Sequence, residues 1–255
     1  MMDRIRRIDP EQARVLITGA GSGVGEAAAK LFASRGANVV LLGRRTEELQ
    51  RVAEQIDCGA HTVVADVANA DSAISGVRGA IHMLGGIDVA VNAAGIAGYA
   101  PLEDLHEQQW REVLDTNLSG TFYVSREAGL HMRKAGGGAI VNVASDLASM
   151  GVPGLAHYCA AKAGVVGLTR ALALELAPDV RVNAVCPGPI DTPMLRAGLA
   201  LADDPLQALH EKEGSVPLNR LADPREVAGA IYFLAIEATF ATGTSMAFDG
   251  GTSAA

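Results

Sequence analysis

Short apolar runs recur along the chain, separated by longer amphipathic or alanine-rich stretches. The pattern predicts strands near 14–18, 38–42, 61–65, 87–91, 139–144, 180–185 and 244–248. It predicts helices near 24–35, 46–56, 69–84, 104–116, 118–134, 156–177 and 224–236. The strand runs are Val-, Ile- and Leu-rich, as expected of strands covered on both faces. Regular alternation of strand and helix argues for right-handed βαβ crossovers. The expected fold is a Rossmann-type, doubly wound α/β domain with about seven parallel strands. No linker or internal repeat divides the chain. Residues 1–12 read as a loose N-terminal arm and 13–255 as a single domain. Segment 189–222 breaks the alternation and reads as loop and short helix. It follows the sixth strand's carboxyl end, where open α/β sheets bind ligands. Its apolar positions Met194, Leu195, Leu199 and Leu201 could cover a substrate.

Composition narrows this picture. A chain that is 49% hydrophobic but only 4% aromatic suits a parallel sheet under alanine-rich helices. The formal charge of −8 argues against a nucleic-acid or anionic-membrane partner. No apolar run reaches the roughly 18 residues of a membrane span, and no hydrophobic leader follows the basic first residues. Cys58, Cys159 and Cys186 are odd in number and widely spaced, which fits neither a disulfide framework nor a metal cluster. A cytoplasmic protein is the natural expectation.

Candidate chemistry begins at the first strand. Arg14-Val-Leu-Ile-Thr18 runs into Gly19-Ala-Gly21-Ser22-Gly23-Val24-Gly25, and an alanine-rich helix follows. Strand, glycine turn and helix form the setting of a dinucleotide site. The glycines let backbone approach a pyrophosphate, and the helix N-terminus offers free N–H groups and a positive dipole end. In NAD sites an acid about 20 residues past the glycines binds the ribose 2′-hydroxyl. Here that count reaches Gly43, followed by Arg44 and Arg45. Arginine suits a 2′-phosphate. NADP(H) is therefore the favoured cofactor and NAD(H) the alternative. Further along, Tyr158 and Lys162 stand four apart on a predicted helix, hence on one face. An ammonium beside a phenol favours the phenolate and lowers its pKa. Such a tyrosine can serve as a general acid or base. Ser145 lies thirteen residues earlier.

Together these motifs resemble the short-chain dehydrogenase/reductase family from about Arg14 to Thr252. Thr18-Gly-x3-Gly-x-Gly25 matches its nucleotide turn, and Asp66-Val67 its acidic position near the adenine. Asn92-Ala93-Ala94-Gly95 matches the segment that supports the central strand and borders the cofactor. Asn117, Ser145, Tyr158 and Lys162 match the catalytic residues. Cys186-Pro187-Gly188-Pro-Ile190-Asp-Thr192 matches the loop around the nicotinamide, and Asp249-Gly-Gly251 the end of the last strand. One position departs from many NADP-using relatives: Ser22 stands where they carry a basic residue.

The resemblance implies hydride transfer between a nicotinamide and a ketone or secondary alcohol. Tyr158 would be the acid or base, and Ser145 would bind the substrate oxygen. Lys162 would bind ribose and lower the tyrosine pKa, and Asn117 would hold a relay water. Thr192 and Ile190 would touch the carboxamide. The resemblance also implies a substrate lid over 189–222 and a homo-oligomer, most simply a tetramer. Its helix face would use Ala160, Ala161, Ala163, Gly164, Gly167, Ala171 and Ala173. Two rivals remain. A 3-oxoacyl-carrier-protein reductase needs a basic docking surface, yet only Arg170 stands where one is expected. A non-catalytic dinucleotide sensor would not need the full catalytic set. Asp146 is expected to satisfy a local backbone N–H, and His157 to face solvent or a neighbouring subunit. Val152, Pro153 and Leu155 would add apolar wall.

Overall fold

The computed structural model describes residues 7–56 and 60–254. Seven strands form one parallel sheet: β1 (Arg14–Thr18), β2 (Asn38–Gly43), β3 (His61–Val64), β4 (Val89–Asn92), β5 (Gly138–Val143), β6 (Val180–Pro187) and β7 (Ser245–Phe248). Their order is β3-β2-β1-β4-β5-β6-β7. The order reverses direction between β1 and β4, and a doubly wound sheet binds its ligand in the crevice at such a switch point.

Successive residues on each strand enter different cores. Val15 and Ile17 of β1 and Val39 and Leu41 of β2 face one cluster. Leu16, Val40 and Leu42 face the other. This is the two-residue side-chain period of a strand buried on both faces. One layer comprises α1 (Gly23–Ser34), α2 (Thr46–Glu54) and α9 (Pro224–Tyr232); the other comprises α3 (Ala70–Leu84), α5 (Gly120–Lys134) and α6 (Ala156–Leu176). Each fully buried Val, Leu or Ile contributes roughly 1.5–3 kcal/mol, so the sheet faces dominate the driving force. Local signals set the helix ends. Asn69 accepts from the Ser72 N–H at 3.0 Å to start α3, and Gly85 ends it at φ 66°.

Two details differ from the pattern's prediction, while segment 189–222 is loop and short helix as expected. The gap expected between helices at 117 is absent: α4 (Glu107–Leu114) continues through a π-turn, Asp115–Ser119, into α5. The extra residue of a π-turn re-aims a side chain without ending the helix, which apolar spacing does not reveal. Segment 189–222 contains two helices, α7 (Pro193–Leu199) and α8 (Pro205–Gly214), each with proline in its first turn. The part of the N-terminal arm within the described residues is not loose throughout. Pro10–Gln12 forms a 3-10 turn capped by Asp9, whose carboxylate accepts from the Glu11 N–H at 3.1 Å.

Candidate active site

At the carboxyl ends of the strands lies a cleft of about 230 Å³. Its nucleotide end is built from backbone. Gly19 has φ +66°, and a Cβ there would sit 2.7 Å from Ala93 O and Ala94 N. Only glycine lets β1 turn this close to the end of β4. Ser22 opens α1 without a side-chain cap. Its hydroxyl instead accepts from Arg45 Nη2 at 3.3 Å. The first-turn N–H groups of α1 therefore face the cleft without intrahelical partners. Arg44 and Arg45 line the same end, just beyond Gly43 at the tip of β2. Asp66 and Val67 line it as well. One Asp66 oxygen accepts from Ala68 N–H at 3.0 Å.

Four expected cofactor residues do not line the cleft but hold its walls from behind. Thr18 is buried, and its hydroxyl accepts from Ala94 N–H at 3.1 Å. Gly25 packs against the Gly19 carbonyl, and Gly188 leaves room for the Asp249 backbone. Asn92 points into the core, where its amide donates to Ser125 Oγ at 2.9 Å and Asn142 Oδ1 at 2.8 Å. Asn142 continues to Thr169 Oγ1 at 2.9 Å. This buried chain ties β4, β5, α5 and α6 together beneath the site.

The reacting end is built from side chains. Tyr158 and Lys162 lie one turn apart on α6, with Lys162 Nζ 5.5 Å from the Tyr158 ring centroid. Lys162 is buried and donates to Val143 O at 2.8 Å. Burial pushes its pKa down to about 8. The expected depression of the tyrosine pKa is absent. Burial outweighs the other influences and pushes Tyr158 up to about 12, although a hydrogen bond with Ser145 opposes the rise. Ser145 lies two residues past β5 and caps the 3-10 turn Asp146–Ala148; its hydroxyl also contacts Leu147 N at 3.1 Å and Asp146 Oδ1 at 2.8 Å.

Asn117 sits in the π-turn. Its side chain donates to Ile96 O and Val113 O, each at 2.9 Å, and accepts from Ile96 N–H at 3.2 Å. It fixes the loop after β4 against α4, so the side chain is already committed to positioning. Thr192 lines the cleft, but its hydroxyl caps α7, accepting from Leu195 N–H at 3.3 Å. Pro187 and Ile190 line the same wall.

The neighbours of Ser145 and Tyr158 divide. Asp146 Oδ1 accepts from Leu147 N–H at 2.8 Å, as expected of a locally satisfied carboxylate. His157 does not face solvent. It is 1% exposed, its Nδ1 has no partner, and burial lowers its pKa. Val152, Pro153 and Leu155 do not line the cleft. Their turn is pinned by Ala100 N–H to Gly154 O at 2.9 Å and lies under Tyr99. Met194 lines the cleft, as expected of the lid segment, whereas Leu49, Ile96, Thr116 and Val143 line it without a sequence signal of their own. Ile96 was legible in hindsight, since it directly follows the Asn92–Gly95 segment. Cys159 and Cys186 are free thiols, and Cys58 lies outside the described residues. Among the described residues no cluster could hold a metal.

A parallel sheet with a glycine-lined crevice leading to a Ser–Tyr–Lys group defines a nucleotide-dependent oxidoreductase of the Rossmann class. A family profile described as enoyl-(acyl carrier protein) reductase matches residues 19–253. The chain is 42% identical over 245 residues to a cis-4-hydroxycyclohexanecarboxylate dehydrogenase of Sinomonas cyclohexanicum, covering 94% of this chain and 96% of the relative. It is 39% identical over 250 residues to a D-threitol dehydrogenase of Mycolicibacterium smegmatis, covering 96% and 94%. It is 37% identical over 238 residues to a 3-oxoacyl-[acyl-carrier-protein] reductase of Vibrio cholerae, covering 92% and 95%. Among solved structures, levodione reductase superposes with a TM-score of 0.92 at 34% identity, covering 96% of this chain and 98% of that one. The chain belongs to the short-chain dehydrogenase/reductase family, and it is an oxidoreductase of the kind that acts on alcohols and ketones.

Proposed function

We propose that the chain transfers a hydride between NADP(H) and a medium-sized, partly apolar ketone or secondary alcohol. The observation that carries this reading is one continuous cleft with Arg44 and Arg45 at one end and Tyr158 and Lys162 at the other. The residues fit the cofactor. Arg45, paired with Ser22, would meet a 2′-phosphate, which answers the missing basic residue at position 22. First-turn N–H groups of α1 would hold the pyrophosphate. Asp66 and Val67 would border the adenine. Pro187, Ile190 and Thr192 would border the nicotinamide. When bound, the nicotinamide supplies or accepts the hydride.

The chain supplies the proton and the charge. With a pKa near 12, Tyr158 is protonated at neutral pH and ready to donate to a substrate oxygen. Lys162, near 8, is mostly charged at pH 7 and stabilises negative charge that develops beside it. Ser145 would hydrogen-bond the substrate oxygen. Segment 189–222 would act as the lid, with Met194 over the cleft. NADPH absorbance with a panel of ketones tests the reading. Turnover rejects a non-catalytic sensor, and no turnover with any ketone rejects the reductase. The Vibrio relative supports a second reading, reduction of a carrier-bound 3-oxoacyl group. Selective turnover of carrier-bound over free ketones would favour it.

The assembly proposed with this function is a homotetramer in the cytoplasm. No helix among the described residues is long and apolar enough to cross a membrane. On α6, Ala160, Ala163, Gly167 and Ala171 form an exposed stripe that Leu174 extends. Trp110 and Phe122 are exposed on the adjoining α4 and α5. Ala161 and Ala173 are not part of this face, since both are buried in the monomer, and Gly164 packs on Leu118. Closed symmetric pairing would cover the stripe. Light scattering at micromolar protein should give a species of four chain masses; an active monomer would refute the assembly.

A further inference from the structure

Ser145 has an acidic neighbour in sequence and in space. Its hydroxyl oxygen lies 2.8 Å from Asp146 Oδ1 and 3.1 Å from Leu147 N. Both side chains are buried. We propose that Asp146 is a positioning residue: as a carboxylate it competes with the substrate oxygen for the Ser145 proton, and as a carboxylic acid it releases that proton. This rests on the ketone-reductase reading of the same site.

The argument is a count of protons. A serine hydroxyl has one proton and two lone pairs. Leu147 N–H, shared with Asp146 Oδ1 at 2.8 Å, reaches one of those lone pairs at 3.1 Å. A carboxylate only accepts, so beside an ionised Asp146 the Ser145 proton must point at Oδ1. Ser145 is then only an acceptor toward Tyr158 and the substrate. A developing alkoxide would meet its lone pair rather than its proton. A protonated Asp146 reverses the bond and donates to Ser145 Oγ. The Ser145 proton can then stabilise the alkoxide. No atom is consumed; one proton changes the direction of one hydrogen bond. Ionised Asp146 has a second cost, because its charge raises the Tyr158 pKa further.

The surroundings favour the acid form. Burial is the largest influence on Asp146 and raises its pKa. Asp249, beyond β7, raises it too. Ser145, Leu147 N–H and Lys212 of α8 oppose the rise. Tyr158 of α6 and Cys186 of β6 complete the titratable groups facing it. The sign follows. Ketone reduction should be fast below the raised Asp146 pKa and should fall as pH rises through it. Tyr158, near 12, stays protonated throughout this range and adds no fall there. A limb from Lys162, near 8, is common to wild type and to the Asp146 variants.

The test is ketone reduction with NADPH from about pH 5 to 8.5. Wild type is compared with D146A, D146N, S145A and S145A/D146A. Wild-type kcat should fall roughly 10-fold across the limb, less than the 10²-fold or more that a deleted oxyanion donor costs. D146A and D146N should lack that limb and outpace wild type above it by about the same factor, with KM little changed. In the S145A background the limb should be gone already, and D146A should change nothing more. NADPH affinity reports folding of each variant; if D146A does not fold, D146N and S145A still decide. A fall in D146N or in S145A as large as that in wild type overturns the proposal. A flat wild-type profile overturns it while leaving the reductase reading intact. Absence of turnover in the wild type overturns both.

Discussion

On the β1–α1–β2 side of the cleft, the candidate working groups are the backbone of Gly19, Gly21 and Gly23, backed by six buried residues of α1. On the β5–α6–β6 side, they are the side chains of Ser145, Tyr158 and Lys162, packed among buried polar partners. In the proposed reading the first side would hold a cofactor by backbone shape, with Arg44 and Arg45 at its rim. The second must hold charge in a dry place, so its pKa values are displaced, Lys162 to about 8 and Tyr158 to about 12. Close backbone approach shapes one half, and burial displaces the pKa values of the other, which is what an acid–base site would need. Mutations should therefore separate the halves: binding without chemistry on one side, chemistry without binding on the other.

The hardest test of that division is Tyr158→Phe. It removes the proton donor and leaves the glycine turn untouched. Turnover should fall by roughly 10²–10⁴-fold, with NADPH affinity within about twofold by fluorescence titration. Retention of more than a tenth of the rate, where hydride transfer is limiting, would remove Tyr158 from the acid role.

Lys162→Met should also cost activity, on the order of 10²-fold, yet stabilise the fold. The buried ammonium is held in the folded state with a pKa of about 8 against an ordinary 10.5. Below pH 8 the folded chain bears the full cost of that charge. Between 8 and 10.5 the unfolded chain binds more protons, so stability rises with pH and the cost fades. At pH 7 the gain from methionine should be roughly 3 kcal/mol, shrinking toward pH 10.5. Thermal melts across pH check this. A destabilised Met variant would mean that the hydrogen bond to Val143 O outweighs burial.

How much of this was legible in the sequence also divides by halves. Strand positions, the glycine turn and the Tyr158–Lys162 pair follow from local periodicity and spacing, and the sheet is as expected. What was not legible depends on tertiary context. Asn92 and Thr18 look like cofactor residues because they sit in the motif, yet both face inward to partners 50 and 76 residues away. The sequence cannot show that burial, rather than the Lys162 charge, dominates the Tyr158 pKa. It cannot show that a π-turn at Asp115–Ser119 aims Asn117 at Ile96. His157 reads as polar and is buried, because residue type does not reveal which side of α6 meets the core.

A cofactor swap probes the nucleotide half alone. Arg45 Nη2 reaches Ser22 Oγ at the rim, with Arg44 beside it. NADPH should be preferred over NADH, and Arg44→Asp should reverse the preference by opposing a 2′-phosphate and accepting from a 2′-hydroxyl. Loss of one charge-assisted contact is worth roughly 1.5–3 kcal/mol, about 10- to 100-fold in the ratio of kcat/KM values. The limiting rate with the preferred cofactor should stay near wild type. A wild type that prefers NADH would mean that both arginines serve only as a solvated pair.

The smallest effect is expected where the cleft is least attached to the fold. Met194 lines the cleft from α7 and is 46% exposed, and neither α7 nor α8 has a buried residue. Nothing in the core depends on that side chain, so Met194→Ala should change stability by no more than about 0.5 kcal/mol. A substrate covered by the segment would lose the contact with the thioether chain. Truncating one partly covered apolar side chain should raise KM roughly 3- to 10-fold, with kcat and NADPH affinity little changed. Lower kcat at constant KM would place Met194 against the nicotinamide rather than the substrate. A melting temperature lowered by several degrees would show that the segment belongs to the rigid half after all, and the contrast between a fixed cofactor platform and a loosely held substrate cover would fail.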